Sequence, residues 1–303
     1  MNLSVTTFHL QKEGNRAKDY EDGFAASPDG MRVAIADGAA SGFESRAWAD
    51  ALVHAFSILP PAFDKASVAD WLVEPQSVWN NFIRWDELKW YHTEKARHGA
   101  YATLLGLTFA PSPEVSPFSL VWSAMAIGDA CLLQIRGDKI ICQFPMEKAD
   151  DFGVNPPLLS TRLDYNDKTL DEIKTRSGDL QPDDVMILAT DALSEWLYTQ
   201  IESGETSWHN LLHLTQAQFE EYVAGLRREH KINNDDITLL LVRLLPHQCS
   251  KDVEESTIKL DREADVDLLS STGGLSPCCN PGLAQQNTAK PFKTLRRVFK
   301  MRN

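Results

Sequence analysis

Runs of apolar residues of strand length divide the first 245 residues, at 31–36 (MRVAIA), 118–127 (FSLVWSAMAI), 131–136 (CLLQIR), 139–144 (KIICQF), 185–190 (VMILAT) and 237–245 (ITLLLVRLL). Arg136-Gly137-Asp138-Lys139 reads as a hairpin turn between two of them. Amphipathic stretches fill the intervals. In 43–58 the residues Phe43, Ala47, Trp48, Ala51, Leu52, Ala55 and Phe56 recur at spacings of three and four and draw one apolar stripe. Residues 67–97 predict a tryptophan-rich pair of helices broken near Pro75. There Trp71, Trp79, Phe82, Trp85 and Trp90 are expected in a helix-to-sheet core. A further helix is predicted over 208–230, with Leu211, Leu212, Phe219, Val223 and Leu226 inward. The polar stretch 145–180 reads as a flap.

After Leu245 the pattern fades. Residues 246–289 are rich in Ser, Asp, Glu, Gly and Pro without periodicity, as expected of a flexible linker. In 290–303 a basic segment returns, with Phe292, Leu295, Val298 and Phe299 on one helical face and Lys293, Arg296, Arg297 and Lys300 on another. This segment suits either a solubilising end or a basic amphipathic anchor that contacts a membrane surface or a partner. The expected organisation is one α+β domain over 1–245, a linker over 246–289 and the basic tail segment 290–303.

Composition narrows the function. The net charge is −13 over 303 residues, but the last fourteen hold six bases and no acid, so residues 1–289 set 24 bases against 43 acids. A body this acidic repels a nucleic-acid backbone, and no nucleic-acid partner is expected. The five cysteines have no metal-like spacing, which argues against a disulfide framework or a structural zinc site and for a cytoplasmic setting. No apolar run approaches the roughly 20 residues of a membrane span, and MNLSVTTFHLQKEGNR has no secretory pattern.

The candidate chemistry lies where acids interrupt the apolar runs. Asp37 follows 31–36, Asp129 sits in a turn between two strands, Asp191 follows 185–190, and Asp235-Asp236 precede the last strand. If the strands at 185–190 and 237–245 run antiparallel, Asp191 and Asp235 face each other at one sheet edge. A single strand-end acid is ordinarily a turn former or a cap. Several on one rim raise one another's pKa, a conflict that oxygen-bound divalent cations resolve.

The order of these motifs resembles the metal-dependent protein phosphatases of type 2C (the PPM, or PP2C, family), in bacterial-type form. The matching elements are Glu21-Asp22 in RAKDYEDGF, Asp37-Gly38 in VAIADG, YATLLGL at 101–107, Gly128-Asp129 in AIGDACLL, DDVMILATDAL at 183–193 and NNDDITLLLV at 233–242. The resemblance implies a two-sheet antiparallel β-sandwich flanked by helices, with hydrolysis of phosphoserine and phosphothreonine in a phosphoprotein substrate. It implies two Mn2+ or Mg2+ ions and a weaker third. Asp37 would bridge two ions and the Gly38 carbonyl would bind one. Asp191 and Asp235 would complete the first site, Glu21 would help the second, Asp129 would hold the third, and Asp22 would stand behind them. Arg16 would take the substrate phosphate, although it lies five residues before Glu21 where four is usual. DGAASG places Ala39 where some relatives carry histidine, Ala192 replaces a glycine, and Asp236 replaces an asparagine. These departures define an alternative, a catalytically impaired module that keeps the fold for binding or regulation. His92 and His98 are expected to be structural or exposed.

Overall fold

The computed structural model describes residues 3–112, 120–153 and 155–245. The linker expected at 246–289 and the basic segment at 290–303 lie outside the described residues. The strands are β1 (Leu3–Leu10), β2 (Gly23–Ala26), β3 (Arg32–Ala36), β4 (Tyr101–Ala102), β5 (Leu104–Pro111), β6 (Leu120–Ile127), β7 (Cys131–Arg136), β8 (Lys139–Phe144), β9 (Leu159–Ser160), β10 (Lys174–Leu180), β11 (Asp184–Ala189) and β12 (Ile237–Leu244). The α-helices are α1 (Ser45–Ile58), α2 (Lys65–Phe82), α3 (Trp90–His98), α4 (Asp191–Glu202) and α5 (Gln216–Arg228).

Two antiparallel five-stranded sheets form, in the orders β1-β12-β11-β7-β8 and β10-β6-β5-β3-β2, with a small β4-β9 pair beside them. Both faces of the central strands are buried, so those strands read as continuous apolar runs. In β12, Leu240 and Val242 point between the sheets, whereas Leu239 and Leu241 point to the helical layer with Trp196 and Phe219. In β3, Val33 and Ile35 face the sandwich interior while Ala34 and Ala36 face Trp48, Leu52 and Phe56 of α1. The result is a helix–sheet–sheet–helix stack, the β-sandwich with flanking helices that the resemblance implied.

Several expectations are corrected. Pro75 does not break a helix: α2 runs through it. Its missing N–H and ring clash are outweighed by the face on which Leu72, Pro75, Gln76 and Trp79 are buried, with Gln76 Nε2 donating to the Ser160 carbonyl at 3.1 Å. The break falls instead at Ile83–Lys89, through a 3-10 turn at Trp85–Glu87. Trp90 is 83% exposed and Trp85 37%, so neither joins the core; α3 buries only Ala96. The helix expected over 208–230 is divided into a 3-10 turn, Ser207–Leu211, and α5. Thr215 stops the first piece by capping α5 with a reciprocal Thr215–Gln218 box. The stretch 145–180 is not a flap throughout, because Lys174–Leu180 is the edge strand β10 paired with β6. Among the described residues no helix is long and apolar enough to cross a membrane.

Candidate metal centre

Strand register brings the acids together. β3 ends at Ala36 opposite the first residue of β2, Gly23. The start of β5 pairs with the end of β6, Leu104 with Ile127. In the other sheet Cys131, which opens β7, pairs with Ala189 at the end of β11, and Ala189 pairs with Leu239 near the start of β12. Asp37, Asp129, Asp191 and Asp235, together with the Glu21-Asp22 pair ahead of β2, therefore all lie at one end of the sandwich. Asp191 and Asp235 meet across the antiparallel β11–β12 edge.

Backbone interactions fix the Asp37-Gly38 turn. The Asp37 N–H donates to Thr103 Oγ1 at 2.9 Å, the Thr103 N–H donates to the Asp37 carbonyl, and Gly38 bridges to Ala102. A Cβ on Gly38 would lie 2.6 Å from the Glu21 carbonyl oxygen, so only glycine lets the two segments approach. Gly128, at φ +103°, makes the turn that presents Asp129.

Asp22 is fully buried, and its Oδ2 accepts from Thr238 Oγ1 at 2.8 Å and Thr190 Oγ1 at 3.0 Å. The Tyr20 hydroxyl also pairs with Thr238. Asp236 is buried and accepts from two backbone N–H groups, Lys12 at Oδ1 and Glu21 at Oδ2, both at 2.7 Å. Aspartate suits this position because both its oxygens accept; an asparagine would turn one amide N–H toward a backbone donor. Asp236 thus staples Glu21 and the end of β1 to the start of β12. Asp235 holds the Lys12 ammonium at 2.7 Å.

The carboxyls are held in an uncomfortable state. Asp37 titrates well above the usual carboxylate range because burial disfavours its charge and Asp22, Asp191, Asp235 and Asp129 all repel it. Burial, then Asp129 and Asp235, push Asp191 up to about 7. Asp22 rises to about 8, chiefly by burial, and Asp129 to about 6 by burial with a contribution from Glu195. Glu21 is raised by burial and Asp236, offset in part by Lys12 and Lys95.

The donor set fits hard divalent cations. It consists of oxygens alone, and one oxygen each of Asp22 and Asp129 is buried with no hydrogen-bond partner. Among the described residues no group of three or more His, Cys, Asp and Glu side chains is arranged to hold an ion by itself.

Arg16 is exposed and engaged with Asp19, its Nε 2.9 Å from Asp19 Oδ2, and the acidic cluster does not figure among the charges that act on it. His92 and His98 are exposed. Three participants escaped the sequence reading. Glu195, on the first turns of α4 and four residues after Asp191, acts on Asp129; the Asp191-x-x-x-Glu195 spacing on one helix face was the available signal. Lys12 and Lys95 carried no motif.

No family model and no curated protein matches the sequence. Solved structures match the fold. The photosystem II phosphatase PBCP is 13% identical with a TM-score of 0.53, over 80% of this chain and 99% of that one. The Mycobacterium tuberculosis serine/threonine phosphatase PstP/Ppp is 17% identical with a TM-score of 0.52, over 81% and 100%. The catalytic domain of the serine/threonine protein phosphatase PstP, in complex with 2 manganese ions, is 17% identical with a TM-score of 0.50, over 80% and 99%. The chain therefore has the fold of the PP2C-type serine/threonine phosphatases.

Proposed function

We propose that this protein hydrolyses phosphoserine and phosphothreonine esters of phosphoproteins, with Mn2+ or Mg2+ as cofactor. The observation that carries this reading is the convergence on Asp37 of four other acids, each raising its pKa. Folding such a set together costs stability, and bound dications remove that cost. The shared fold with the phosphatases, one of them described with 2 manganese ions, supports the same class.

In this reading Asp37, the Gly38 carbonyl, Asp191, Asp235 and Glu21 would hold two ions, and Asp129 would help to hold a weaker third. Bound ions would supply the positive charge that activates an attacking water near neutral pH and neutralises the phosphoryl oxygens. The protein's own contribution is placement. Asp22, held by Thr190 and Thr238, anchors the segment that carries Glu21, and Asp236 fixes the Glu21 backbone. To take the substrate phosphate, Arg16 would have to leave Asp19, an exchange between exposed charges that costs little. The Cys131 thiol is pushed up to about 12 by burial, which disqualifies it as a nucleophile. The free, buried Cys131 and Cys142 agree with a cytoplasmic setting.

The test is phosphate release from a phosphothreonine peptide with and without manganese, beside a nucleic-acid phosphodiester. The reading expects manganese-dependent hydrolysis of the peptide and none of the diester. The competing reading, a PP2C-like module without turnover, draws on Ala39 and Ala192, which replace residues usual in the family. It expects metal binding without hydrolysis of either ester.

A further inference from the structure

Helix α3 joins directly onto the candidate centre. Its C-cap carbonyl, Gly99 O, accepts from the Phe43 N–H at 3.0 Å, and the chain then supplies Tyr101 O to the Ala39 N–H at 2.9 Å and Ala102 to the Gly38 bridge. The Phe43 and His92 rings lie 6.1 Å apart, so the helix stands on the loop that follows Asp37-Gly38. The helix carries Lys95 and Arg97 against one acid, Glu94, and opens with Trp90 and Tyr91, both exposed, their rings packed edge to face at 5.7 Å.

Tyr91 and Lys95 are four residues apart and share one face. Two ammonium groups act on Glu21, those of Lys12 and Lys95. Lys12 is ion-paired with Asp235, whereas Lys95 has no carboxylate within ion-pairing distance among the described residues. An unpaired cation beside the centre, next to an aromatic pair that the fold leaves in water, is complementary to a chain that is both anionic and partly apolar.

Resting on the phosphatase reading above, we propose that α3 docks the phosphorylated segment of the substrate protein. Lys95 faces acidic residues that flank the phosphorylated position, and Trp90 and Tyr91 cover the neighbouring apolar side chains. The preferred substrate is thus an acidic phosphopeptide segment rather than a basic one, a choice that the acidic body alone would reverse.

The test measures binding of the full-length protein, in Mn2+, to two fluorescent peptides. Each carries a non-hydrolysable phosphonate in place of the phosphothreonine ester; one is flanked by Asp and Glu, the other by Lys and Arg. The wild type is expected to bind the acidic peptide about tenfold more tightly, Lys95→Glu to cancel or invert that preference, and Trp90→Ala to weaken both peptides by about tenfold. An inverted preference cannot come from misfolding, and both positions are exposed. A wild type without the preference, or a Lys95→Glu variant that keeps it, overturns the proposal. If the preference inverts while the wild type hydrolyses no phosphoester, the docking surface stands and the phosphatase reading falls. If hydrolysis occurs and Lys95→Glu changes nothing, only the docking proposal falls.

Discussion

Asp37 concentrates the chemistry of a single residue. Replacing it by Asn keeps the shape but removes the charge that would bridge two cations. Asp37→Asn is expected to lower manganese-dependent phosphate release by at least about a hundredfold. In metal-free protein the same substitution should raise the melting temperature, since it relieves repulsion from Asp22, Asp191, Asp235 and Asp129. Lys12 offers a complementary test. Its ammonium sits on Asp235, so an entering cation must both displace it and approach its charge. Both effects have one sign, and Lys12→Met is expected to tighten manganese binding in calorimetry while lowering metal-free stability. Acidity gives a third. Asp129, Asp191 and Asp22 titrate at about 6, 7 and 8 in the folded chain, against about 4 when unfolded. The folded state therefore binds more protons, and this stability is full below about pH 4 and lost as pH rises through 6 to 8. Metal-free protein should melt at progressively lower temperature from about pH 5.5 to about pH 8, and manganese should flatten that slope. The strand-end acids were readable because each interrupts an apolar run. Glu195 and Lys95 were not, because on a helix surface an acid or a lysine looks like solvated charge until a fold brings it to a site.

At the scale of elements, the apolar runs marked the central strands β3, β6, β7, β11 and β12 to within one or two residues, because those strands are buried on both faces, while the central strand β5 was not among the runs. The edge strands β1, β2 and β10 were not visible this way, although the edge strand β8 was. β10, KTRSGDL, buries only Leu180 among its side chains and carries charges that protect an exposed edge from pairing with another chain. Pro75 misled for a related reason: local propensity predicted a break, and burial of one continuous face overrode it. Asp236 shows how a side chain can join elements distant in sequence, through its two backbone acceptor contacts to Lys12 and Glu21. Asp236→Asn loses one of these and faces a donor with a donor. It is expected to cost about 2 kcal/mol in chemical denaturation and to weaken metal binding by loosening Glu21. A stability unchanged from wild type would contradict the staple.

For the whole molecule, the sandwich is a device for bringing distant strand ends together. Antiparallel register in both sheets places residues 21, 37, 129, 191 and 235 at one end, although more than two hundred positions separate the first from the last. The two rigid sheets, with apolar side chains packed on both faces, withstand the repulsion that this concentration of acids creates. Occupation by metal should therefore release protons, because carboxyls held partly protonated must ionise to bind. Calorimetric titration of Mn2+ into the metal-free full-length protein near neutral pH, repeated in buffers of different ionisation enthalpy, tests this directly. The account predicts at least two ions per chain, a binding heat that changes with the buffer because protons are released, and loss of both tight sites in Asp37→Asn. Absence of binding in the wild type, or binding of equal strength and stoichiometry in Asp37→Asn, would contradict it.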